Sequence, residues 1–135
     1  MFDFEEKISK EQALNMSPVV LAFIGDAVYS LYEREKLALE RACKTGVLNK
    51  LTSERVCAKA QARLSEKVAT ILTEEETAVF KRGRNAKKPS RSKSCSVAEY
   101  NVSTGIEAVV GFLYLTGQTD RINELLSFEE SKDEN

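Results

Sequence analysis

The stretch from Ser17 to Arg34, "SPVVLAFIGDAVYSLYER", limits the fold of this chain more than any other. Ser17 suits a helix N-cap, and Pro18 suits the first helical position, where a missing N–H costs nothing. The pattern that follows predicts a helix from Pro18 to about Leu39. Gly25 interrupts it at a cost of about 1 kcal/mol relative to Ala, so another part of the molecule must pass close to the backbone there. Directly after the glycine stands Asp26, among apolar neighbours. An unpaired carboxylate costs several kcal/mol to bury. On a helix Asp26 shares a face with Ala22, Tyr29, Ser30 and Glu33, which places it at the border of the core. Two roles fit: a structural acid that pairs with a buried Arg or caps another element, or a group that carries chemistry.

The remaining chain follows the same helical period, without the alternation and hairpin turns of strands. Helices are expected from about Val47 to Leu72, with a break near Thr52 and Ser53, and from a Thr73–Glu76 capping box to about Arg82. Further helices are expected from Val97 to Thr116, closed by Gly117, and from Thr119 to Phe128. The expectation is an all-α fold in one domain over residues 1–135, with its core at about 11–126 and an acidic tail at 129–135.

Histidine is absent, which removes Ser-His and Cys-His nucleophilic machinery and the histidine pairs of metal-free ribonucleases. Hydrolytic chemistry in this chain would rest on carboxylates with a hard metal ion. The three cysteines, Cys43, Cys57 and Cys95, are odd in number and widely spaced. They read as small hydrophobes rather than a disulfide framework or a CxxC zinc site, which fits a reducing cytoplasm. Met1 is followed by Phe2, Asp3 and Glu5, so no secretory signal is expected, and no apolar run approaches the length needed to cross a bilayer.

The net charge is −1, but the charges are segregated. Residues 81–93, "KRGRNAKKPSRSK", hold seven of the 20 basic residues and no acid, leaving 13 basic against 21 acidic elsewhere. This segment reads as an exposed basic loop, either a phosphate-binding element or a solvated or protein-binding surface. Lys59, Gln61 and Arg63 fit equally well as further contacts from a helix face and as part of an ordinary exposed helix.

A second carboxylate has a setting like that of Asp26. In "STGIEAVVGFLYLTG" Glu107 lies inside an apolar helix, with Gly111 one turn later. Two such acids, each near a glycine, imply that the two helices approach closely and bring the carboxylates together. Converging carboxylates repel unless a proton or cation separates them, and Mg²⁺ is the usual partner. The alternative is that each acid pairs with its own basic neighbour.

"FIGDAVYSLY" resembles the signature helix of the ribonuclease III family, whose core reads Phe-Leu-Gly-Asp-Ala/Ser-Val. "TGIEAVVGFLYL" resembles the family's second catalytic helix. The spacing of the two motifs, the length and the intervening "RGRNAK" are most similar to the Mini-ribonuclease III branch, which has the catalytic domain without a double-stranded-RNA-binding domain. The resemblance implies a helical bundle that works as a homodimer, with Asp26 and Glu107 as catalytic acids and Mg²⁺ ligands. It implies cleavage of double-stranded RNA to 5′-phosphate and 3′-hydroxyl ends, and a substrate in the large-subunit (23S) ribosomal RNA precursor. Phe23 matches an aromatic residue that packs into the partner subunit. RNA contacts fall to Arg82, Arg84, Asn85, Lys87 and Lys88, then Arg91 and Lys93. The chain departs from the wider family at Ala22 and Thr104, where that family carries acids. These departures favour a sparse metal site, and they keep open a catalytically silent, dimeric RNA-binding maturation factor.

Overall fold

The computed structural model describes residues 7–40, 44–88 and 95–128. Among them it contains seven helices and no strand: α1 (Lys10–Leu14), α2 (Pro18–Glu40), α3 (Thr45–Val56), α4 (Ala58–Val68), α5 (Glu74–Asn85), α6 (Val97–Leu115) and α7 (Thr119–Leu126). The all-α expectation holds. The central element is α6, which packs against α2, α4 and α5 and also touches α1 and α7. Its run from Ile106 to Leu113 is buried except at Glu107, which is half-buried.

The expected start of α2 is present: the backbone N–H of Val19 donates to Ser17 Oγ at 3.2 Å. The close approach implied by the glycines is also present, and it is reciprocal. A Cβ on Gly25 would overlap the Glu107 carbonyl, and one on Gly111 would overlap the Leu21 carbonyl. With only hydrogen in both places, α2 and α6 pack backbone to backbone. The end of α6 is as expected, with Gly117 at φ +78°. Gly117 N–H donates to Tyr114 O at 3.1 Å and Gln118 N–H to Leu113 O at 2.8 Å, a Schellman closure.

Some boundaries differ from expectation. The break after α3 falls at Cys57, in extended backbone, and not at Thr52–Ser53. Thr52 instead stays helical and buried, its hydroxyl donating to Leu48 O at 2.8 Å. The helix that opens at the Thr73–Glu76 capping box runs to Asn85, so Arg82, Arg84 and Asn85 are helical rather than loop residues. Helix α1 was not anticipated, although its Ser9–Gln12 capping box is legible in "SKEQ".

A buried ion pair fixes α7 against the start of α5. Arg121 donates to Glu76 at 2.8 and 2.9 Å and to Ile71 O at 2.6 Å. Burial would raise the Glu76 carboxyl, but hydrogen bonds from Arg121 and Thr73 outweigh it and hold the group below its usual range.

Candidate active site

Gly25 is the reason Asp26 and Glu107 meet. Once α2 lies against the backbone of α6 at Glu107, the next residue along α2 is set beside the Glu107 side chain. The two carboxyl groups are in hydrogen-bonding contact. Burial, then the bond and charge of Asp26, push the Glu107 carboxyl up to about 8. At neutral pH the pair therefore retains a proton, as like charges in a partly buried site require.

Both acids line a cavity of about 500 Å³ whose wall also includes Ala22, Phe23, Cys57, Gln61, Lys88 and Thr104. Asp26 is exposed at its mouth and Glu107 is half-buried within it. Asp26 is thus more open to solvent than the border position read from the helical pattern. Neither acid has an Arg or Lys salt-bridge partner within 4.0 Å among the described residues. The structural alternative, with each acid paired to its own base, does not describe this site.

Ala22 and Thr104 are both buried beside the acids. Thr104 Oγ1 donates to Tyr100 O at 3.0 Å, so its hydroxyl is turned back onto its own helix. Among the described residues no three His, Cys, Asp or Glu side chains form a metal-binding group. Glu33, which shares the helical face of Asp26, is engaged by Arg55 at 3.5 Å. Tyr29 lies buried beneath, and its burial, with the nearby charges of Glu33 and Glu107, raises its hydroxyl and keeps it protonated.

Gln61 was read as part of an exposed helix, and here the structure differs. Its side chain is 1% exposed, and Nε2 donates to Glu107 Oε2 and to Val56 O, each at 3.1 Å. Lys59 and Arg63, by contrast, are exposed on α4. The only local hint was a Gln in step with Leu64 and Val68 on the apolar face of α4. Cys57, expected as a buried or half-buried hydrophobe, is exposed in the cavity wall, whereas Cys95 is buried.

The basic residues divide by their engagement. Arg82 donates to Leu14 O at 2.7 Å and Met16 O at 3.0 Å, closing the turn between α1 and α2. Arg84 lies 5.8 Å from the Phe80 ring centroid and donates to Asn85 Oδ1 at 3.1 Å. Lys88 reaches the cavity wall, with Nζ donating to Arg84 O at 2.9 Å and Ala86 O at 2.7 Å. Burial lowers its ammonium from the ordinary range. Lys87 is exposed. Arg91 and Lys93 lie outside the described residues.

Phe23 stands at the cavity rim with 75% of its surface exposed. Val20, Ala27 and Leu31 extend this uncovered stripe along α2. No helix among the described residues is long and apolar enough to cross a membrane.

The chain is similar to several known proteins. A Mini-ribonuclease 3 from Thermoanaerobacter sp. (strain X514) is 44% identical over 121 residues, covering 90% of this chain and 85% of that protein. One from Enterococcus faecalis is 40% identical over 115 residues, covering 84% and 87%. An X-ray structure of a Fusobacterium nucleatum protein superposes with a TM-score of 0.77 at 33% identity, covering 83% of this chain and 91% of that one. Residues 19–118, which contain both acids and both packing glycines, match the Ribonuclease III domain, and the chain belongs to that family of endoribonucleases.

Proposed function

We propose that this chain is a single-domain, Mg²⁺-dependent endoribonuclease that cleaves double-stranded RNA as a cytoplasmic homodimer. The observation that carries the proposal is the meeting of Asp26 and Glu107, from two different helices, in one open cavity without a basic partner. Relatives named Mini-ribonuclease 3 support the activity.

The donor set fits a hard cation. Two carboxyl groups in contact offer oxygens at a solvent-open wall, and Mg²⁺ is commonly held by one or two carboxylates with waters and substrate phosphate. When bound, the metal would polarise the scissile phosphate and activate water. Asp26 and Glu107 would hold it, and their separate helices keep the two oxygens in register. Hydrolysis leaves 5′-phosphate and 3′-hydroxyl ends.

Phe23 and the stripe beside it are the surface for a second subunit. Arg84, Asn85, Lys87 and Lys88, with Arg91 and Lys93, supply contacts to phosphate and 2′-hydroxyl groups, which suffices for a duplex read by shape, whereas Arg82 is held by the carbonyls of Leu14 and Met16. A stem of the large-subunit ribosomal RNA precursor is the natural substrate in this proposal.

The test is cleavage of duplex RNA by the purified protein, with and without Mg²⁺, beside Asp26→Asn. Mg²⁺-dependent cutting by the wild type and binding without cutting by the variant are expected. Full activity in EDTA or in Asp26→Asn overturns the mechanism. Because Ala22 and Thr104 leave the site with two acids, a catalytically silent RNA-binding maturation factor is the second reading. Duplex binding by the wild type without any cleavage would select it.

A further inference from the structure

Gln61 is the one side chain among the described residues that links Glu107 to a second helix junction. Its amide nitrogen has two protons and meets two acceptors, Glu107 Oε2 and the carbonyl of Val56. The Val56 carbonyl can only accept, so the amide nitrogen must face it and the amide can be turned only one way. Val56 is the last residue of α3, and the extended Cys57 leaves its carbonyl without a helical partner, which Gln61 supplies. The side chain is 1% exposed and Leu64 and Val68, on the same face of α4, are buried, so the amide has little freedom to move.

We infer that Gln61 is a positioning residue for the metal site, holding one Glu107 oxygen so that the carboxylate keeps a single orientation toward Asp26. The inference rests on the proposed Mg²⁺-dependent reaction and specifies how a site with only two acids keeps its geometry. Where Ala22 and Thr104 provide no further anionic ligand, the orientation of the remaining carboxylate matters more. Groups that orient a ligand from outside the coordination sphere typically contribute 10- to 100-fold in metal affinity or activity.

Gln61→Met keeps the volume and removes both donated bonds. The Mg²⁺ concentration for half-maximal cleavage should rise about tenfold or more, while KM for duplex RNA at saturating Mg²⁺ stays within about twofold. Mn²⁺ binding to the RNA-free protein, followed by electron paramagnetic resonance, should weaken by the same factor. That measurement does not depend on turnover. An unchanged Mn²⁺ affinity in a variant with a cooperative thermal transition overturns the role of Gln61. If Gln61→Met loses that transition, Gln61→Asn, which is one methylene too short to span both acceptors, is read in the same way. Failure of the wild type to cleave, with Mn²⁺ binding still weakened in the variant, would count against the enzyme reading and leave the positioning role standing. Unweakened binding would count against Gln61 alone.

Discussion

The backbone carbonyl of Glu107 occupies the space that a side chain on Gly25 would need. The meeting of the two acids and the stability of the fold therefore depend on one contact. Gly25→Ala would gain about 1 kcal/mol in helix propensity, but the methyl would collide with backbone that cannot rotate away. The expected net loss is about 3 kcal/mol or more, with separation of α2 from α6 and loss of cleavage. Urea denaturation of the variant measures it, and a more stable Gly25→Ala protein would refute the packing.

The raised carboxyl of Glu107 makes stability depend on pH. The Glu107 carboxyl lies near 8 in the fold against an ordinary 4.5, so the folded chain binds more protons than the unfolded one between these values. Its contribution is fully present below the unfolded pKa and is lost as pH rises through the folded one. In EDTA the melting temperature should fall as pH is raised from about 5 to 8, and Glu107→Gln should remove that component. Adding Mg²⁺ near pH 8 should restore stability to the wild type and not to the variant. A melting profile unchanged by Glu107→Gln would contradict this account.

Phe23 predicts assembly. A largely exposed Phe beside exposed Val20 and Leu31 gains about 1.5–3 kcal/mol when fully buried, and a two-fold interface gains it twice. Phe23→Asp should shift the protein from dimer to monomer in sedimentation velocity, with its helical circular dichroism intact. Persistence of the dimer would place the interface elsewhere.

The basic residues should separate into two behaviours. Arg82 spends its donors on Leu14 and Met16, so Arg82→Ala should lower thermal stability by about 1–2 kcal/mol. Lys87 is exposed, so Lys87→Ala should leave stability unchanged and reduce the slope of log affinity against log salt by about one. Titrations of duplex RNA at several salt concentrations, alongside melting curves, check both. Equal stability losses in the two variants would erase the distinction.

Much of this protein was legible along the chain because the signals are local. The start of α2 at Ser17–Pro18, the Thr73–Glu76 box and the Gly117 closure depend on residues within one turn of each other. The meeting of Asp26 with Glu107 was legible as one of two outcomes, since a glycine in each apolar helix permits close backbone packing without requiring it. The α3–α4 break was misplaced at Thr52 because a Thr that bonds back to its own helix looks like a cap from sequence.

Tertiary structure alone decided the rest, through contacts between residues far apart in the chain. Gln61 reaches Glu107 across 46 residues and Arg82 reaches Leu14 across 68, and no periodicity encodes either pairing. A polar side chain on an amphipathic helix reads the same whether it points to water or caps a distant carbonyl. Sequence thus determined the two long helices, α2 and α6, and the two acids they carry. Packing of α4 and α5 around α6 decided which amide orients those acids, and which arginine is spent on the fold.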